Sequence, residues 1–172
     1  MSRDLKLYIV GVVVASAVAL GTTTLVFPAD PRIGVGFAFL GERAAVVGFM
    51  FWTALTLLAS ALPVRMPRGS LVAVSIAPLI AATALGGPAV GGWVALIGTT
   101  EIRELRGRIP WYGSLSNHAG IMLPTILAGM VIQAFGPTAR EFGGIVAFLA
   151  AIVGAAAFIL LNATMAATVI SL

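Results

Sequence analysis

Residues 61–120 read ALPVRMPRGSLVAVSIAPLIAATALGGPAVGGWVALIGTTEIRELRGRIPWYGSLSNHAG. Two apolar segments, residues 70–85 and 88–100, are joined by the uncharged Gly86-Gly87-Pro88 and bracketed by arginines. Arg65 and Arg68 precede them, and Arg103, Arg106 and Arg108 follow. Basic side chains collect on one side of a membrane, so clusters at both ends of an apolar pair predict a membrane hairpin with its two ends on one face. Both segments are shorter than the roughly 20 residues that a helix needs to cross a bilayer. Pro78 interrupts the first, and Gly86, Gly87, Gly91, Gly92 and Gly98 load the second with small residues. Small residues let helices approach closely, whereas interrupted spans can also free backbone groups that line a cavity. Close packing centred on Gly91, Gly92 and Gly98 is the expectation, and a cavity is the alternative.

Composition places the rest of the chain around this hairpin. Of the 172 residues 60% are hydrophobic and 9% charged, and the mean hydropathy is +1.09. Soluble domains carry about 25% charged residues, so this is a polytopic membrane protein of one domain, without room for a soluble catalytic unit. The absence of cysteine removes disulfides, thiol nucleophiles and cysteine metal sites. A single histidine gives no cluster for zinc or haem, so no cofactor is expected. A net charge of +4 would point to nucleic acid in a soluble chain. Here the arginines flank apolar runs, where they set topology and meet lipid headgroups, so the expected partner is the bilayer and not nucleic acid.

Residues 7–27 form an apolar run of spanning length behind Arg3 and Lys6. It continues ten residues past the small residues ending at Ala17, too far for a cleaved signal segment. The motif Pro28-Ala29-Asp30-Pro31 stops the helix, because proline lacks the backbone donor and pushes its predecessor out of helical geometry. Residues 33–40 are too short to span and end at Glu42-Arg43, which suits an interfacial lead-in or a re-entrant segment. Residues 44–62 are the second span, with Phe49, Phe51 and Trp52 in its first half. Residues 115–135 are the next after the hairpin, broken by Pro124 and ended by Gly136-Pro137. Residues 143–172 are the last, after Arg140-Glu141. The fold class expected is an all-α membrane bundle of about six helices with short, Gly/Pro-interrupted central spans.

Six spans with the N-terminus inside place Arg3, Lys6, Arg65, Arg68, Arg103, Arg106 and Arg108 inside and Arg32, Arg43 and Arg140 outside. Seven against three is the bias expected for two cytoplasmic termini. The final span ends without a flanking charge, which reads as a domain taken from a longer polypeptide.

No phosphate-binding glycine loop, nucleophile elbow or pair of intramembrane carboxylates is present, so no enzymatic activity is expected within these residues. The ligand-site candidates are Asn117 and His118, polar groups at the start of an apolar span that need partners, together with Glu101 and Trp111 in the preceding loop. Each also has a plain structural role: a helix-end cap for Asn117 and His118, an interfacial anchor for Trp111. For Glu101 that role is an ion pair with Arg103 or Arg106 nearby or with Arg108, and Glu104 can also meet Arg108 at four-residue spacing.

The run from Ala61 to Ser70, Ala84-Leu-Gly-Gly-Pro88, Arg106-Gly-Arg-Ile-Pro-Trp111 and Ser116-Asn117 resembles the N-terminal polytopic membrane domain found ahead of HD-GYP phosphohydrolase or GGDEF cyclase domains in bacterial signalling proteins. That resemblance implies a sensory or anchoring input domain in the bacterial inner membrane, a small-molecule ligand, a homodimer formed through the parent protein, and a cytoplasmic effector acting on cyclic di-GMP. More distantly the chain is similar to the substrate-binding S components of energy-coupling-factor vitamin transporters. No HD or GYP residues occur, so no catalytic role carries over.

Overall fold

The computed structural model describes residues 2–62, 64–65, 71–72, 74–136 and 144–172. Arg68, Ser70, Pro137, Arg140, Glu141 and residue 143, all used above, lie outside the described residues. Apart from short connections, the described residues are helical except for one two-residue antiparallel ladder, β1 (Val64–Arg65) with β2 (Leu71–Val72). Its other elements are α1 (Arg3–Val26), a 3-10 segment η1 (Pro31–Arg43), α2 (Ala44–Ala61), α3 (Ile76–Gly98), α4 (Ile102–Leu105), α5 (Trp111–Ala134) and α6 (Gly144–Ser171). Among the described residues five helical stretches are long and apolar enough to cross a membrane: α1, η1 with α2, α3, α5 and α6.

Helix limits follow local chemistry. Ser2 caps α1 by accepting from the Leu5 N–H at 3.1 Å, with Asp4 in the first turn where the helix dipole favours a negative charge. Asp30 caps η1 by accepting from the Arg32 N–H at 2.9 Å and pairs with the Arg32 guanidinium. The segment expected as an interfacial lead-in or re-entrant stretch is thus a 3-10 helix, which breaks at Gly41 (φ 59°) before α2 begins. Helix α5 starts at Trp111 behind Pro110, four residues earlier than hydropathy alone suggests. The polar Ser114, Ser116 and Asn117 lower the hydropathy of its first turns without breaking its geometry.

Helix α3 joins the two segments of the expected hairpin in one stretch interrupted at Gly87, whose φ of 86° and ψ of −179° are non-helical; the first arm begins only at Ile76, because Leu71–Val72, expected inside it, form β2. In a straight helix residues eight apart are separated by about 12 Å of rise. Here a Cβ on Gly91 would collide with the Thr83 hydroxyl, so the chain folds back sharply at Gly87. Pro88 then opens the second arm, where a missing N–H costs nothing. The orphan carbonyl of Gly86 at the end of the first arm accepts from the Asp30 N–H at 3.1 Å.

This folded helix is the centre of the bundle. Its apolar window is 56% buried, against 17% for α1 and for α6, and it contributes Leu79, Ala82, Val94 and Ala95 to a core completed by Leu20, Ile33, Met122, Ile126 and Phe158. Gly92 lies against Leu20 and Ile126, and Gly98 against Thr56. A side chain at either position would overlap a neighbour. The second arm of α3 runs antiparallel to α5, with Thr99 beside His118 at one end and Gly129 against Pro88 at the other. Helix α6 runs back along α5, with Gly154 against Ile132 and Asn162 bonded to Gly120. The Tyr8 hydroxyl donates to the Met165 carbonyl, and the Ser2 hydroxyl to the Leu172 carbonyl at 3.2 Å. The two ends of the chain therefore meet on one face.

Buried polarity is almost wholly hydroxyl. Thr53, Thr56, Thr83 and Thr125 each donate to the carbonyl four residues earlier, which satisfies the group inside its own helix. Ser16 donates to Ala119 O and Ser60 to Gly98 O, both at 3.1 Å, stitching helix to helix.

Candidate functional site

Helix α4 is one turn long, and its stop is set by glycine. The Gly107 N–H bonds Glu104 O and the Arg108 N–H bonds Arg103 O, both at 2.9 Å, with Gly107 at φ 65°. This paired closure needs a left-handed residue just after the helix, which glycine adopts without strain. It fixes the direction of the side chains on either side. Arg103 points outward, 57% exposed, and pairs with Glu101 (Nε to Oε2, 2.9 Å). Glu104 points inward, its side chain only 7% exposed.

Beneath the loop, Glu104 meets α5. Its Oε2 lies 2.9 Å from His118 Nε2, and its Oε1 accepts from Asn117 Nδ2 at 3.4 Å. His118 Nδ1 lies 3.2 Å from the Thr99 hydroxyl, which itself donates to Ala95 O at 2.6 Å. Both ring nitrogens of His118 are thus engaged, Nδ1 with the Thr99 hydroxyl and Nε2 with the Glu104 carboxyl.

Of the four residues proposed from sequence, the structure brings Asn117 and His118 together and places Glu101 and Trp111 elsewhere. Glu101 faces Arg103. Trp111 is 76% exposed and packs edge-on against Tyr112, with ring centroids 6.0 Å apart. Glu104 and Thr99 are the members that sequence reasoning missed. The four-residue spacing that would let Glu104 meet Arg108 needs a helix through both, but α4 ends at Leu105. The available signal was the Arg106-Gly107 pair, which stops a helix at that point.

His118 is the first of three consecutive residues of α5 that each bind a different element. Its ring reaches α4 and Thr99; the carbonyl of Ala119 accepts from Ser16 of α1; the carbonyl of Gly120 accepts from Asn162 of α6 at 3.2 Å. Pro124 explains the last bond. Lacking an N–H, it leaves the carbonyl four residues back without its helical donor, and Asn162 supplies one. By helix rise His118 sits about 10 Å in from the start of α5, and Asn162 about 15 Å in from the end of the chain. The polar group is therefore set below the rim of the face where the termini meet. Among the described residues no buried side-chain polar atom lacks a partner, and no three His, Asp or Glu residues gather as metal ligands.

No family profile matches the chain, and no curated protein or solved structure matches it either.

Proposed function

We propose that this chain is a six-pass membrane input domain, in which the cluster of Thr99, Glu104, Asn117 and His118 receives a small polar ligand and α6 carries the response. Passes one, two, five and six are α1, η1 with α2, α5 and α6. The two arms of α3, residues 76–86 and 88–98, supply the third and fourth. Each arm rises about 16 Å, short of a core about 30 Å thick, so local thinning or half-depth ends accompany them. An even number of passes is consistent with the meeting of Ser2 and Leu172. The arginine bias puts that face in the cytoplasm, as expected of an input domain in a bacterial inner membrane.

The observation that carries the reading is the run His118-Ala119-Gly120. Ionisable groups set into a membrane bundle commonly mark a functional site, and this one shares a single helical turn of α5 with the bonds that hold α1 and α6. A ligand that prefers one arrangement of that turn would shift the packing of α6, since only differential affinity moves a two-state equilibrium. A thermal-shift screen of small polar metabolites on the purified chain, repeated on Glu104→Gln and His118→Gln, tests it. A compound that stabilises the wild type and neither variant is the expected result. One that stabilises all three equally puts binding elsewhere.

A second reading, a substrate-binding transport subunit, draws on the fold of α3 at Gly87, since broken helices line substrate sites in transporters. The complete reading frame separates the two. A cytoplasmic effector of HD-GYP or GGDEF type favours input, and neighbouring genes for a pair of ATPases favour transport.

A further inference from the structure

We infer that the turn from Leu105 to Tyr112 is a preformed binding site for anionic phospholipid headgroups, with Arg106 and Arg108 as its phosphate-binding pair. The acidic groups near this turn are already engaged, Glu101 by Arg103 and Glu104 by His118. Arg106 and Arg108 are exposed and have no acidic partner among the described residues. They flank Gly107, whose positive φ and two closing hydrogen bonds hold the backbone between them in one conformation, so little backbone order remains to be lost when an anion binds. Guanidinium groups bind phosphate oxygens through paired N–H donors.

The flanking residues choose the lipid over a soluble anion. Leu105 is 78% and Trp111 76% exposed, with Tyr112 beside them. Apolar and aromatic side chains next to unpaired cations suit the boundary between acyl chains and headgroups, where Trp and Tyr are enriched and each basic residue near an anionic surface contributes to binding. Glu104, buried under the turn on His118, ties this surface to α5.

The test uses the full chain in a neutral detergent, with phosphatidylglycerol and phosphatidylcholine of the same acyl chains titrated in and adducts counted by native mass spectrometry. The wild type is expected to bind phosphatidylglycerol in preference. Replacing one arginine, R106Q or R108Q, should weaken that binding about fivefold and replacing both about thirtyfold, with phosphatidylcholine binding unchanged. R106K/R108K should retain most of the preference, and R43Q, on the far side of the bundle, all of it. The single variants give the answer if the double variant does not fold. Equal binding of the two lipids, or undiminished phosphatidylglycerol binding in R106Q and in R108Q, would overturn the assignment. So would free glycerol phosphate competing at the same concentration as the lipid, because the site would then be one for a soluble anion.

Discussion

Gly87 is the residue on which the bundle turns. Its φ of 86° with ψ near 180° belongs to a region that is essentially closed to residues with a Cβ. Space is not the obstacle, since a Cβ there would meet only Gln133 Oε1 at an ordinary 3.4 Å. Gly87→Ala is therefore expected to cost about 1–3 kcal/mol through backbone strain alone, read as a lower melting temperature in detergent. A melting temperature equal to wild type would show that the chain can reverse here by another route. The same scale shows what sequence reading reaches: Gly86-Gly87-Pro88 was legible as a turn because each residue has a strong local preference. The inward direction of Glu104 was not, because it follows from where Gly107 ends a helix only one turn long.

At the scale of elements, α5 is held to α6 through a backbone group that its own sequence set free. Pro124 deprives Gly120 O of its helical donor, and Asn162 replaces it. Asn162→Ala should thus destabilise by about 1 kcal/mol, the low end of the cost of an acceptor left unmade, since the bond is partly buried. In a Pro124→Ala background the restored N–H can serve Gly120, and the same change should cost much less. The double-mutant cycle isolates this coupling from the void that Pro124→Ala leaves; additive effects would mean that Asn162 acts elsewhere. Sequence analysis marked Pro124 as a break, whereas α5 runs through it as one helix from Trp111 to Ala134. Sequence reading had no means of joining residues 38 positions apart on antiparallel helices.

For the whole molecule, the Ser2 to Leu172 hydrogen bond and the antiparallel course of α1 and α6 require both ends on one side of any membrane the bundle crosses. Cytoplasmic and periplasmic reporters fused to each end should therefore agree with one another. The arginine bias further predicts the cytoplasmic signal for both. Opposite signals from the two ends would mean an odd number of crossings, with the arms of α3 as the first place to look.

Hydropathy and composition by themselves determined that this is a helical chain with stretches apolar enough to cross a membrane, where those stretches lie, and that glycine gathers in its central segment. These are sums and local preferences, and the bilayer enforces them without reference to neighbours: a backbone in lipid has few ways to satisfy its polar groups. The tertiary structure alone decided which polar groups share a site. Glu104 reaches His118 instead of Arg108, Trp111 stays outside, and Thr99 joins because the second arm of α3 returns along α5. Partner choice of this kind depends on the distances between helices. A linear pattern of apolar runs does not encode those distances, because many packings of the same helices bury the same residues.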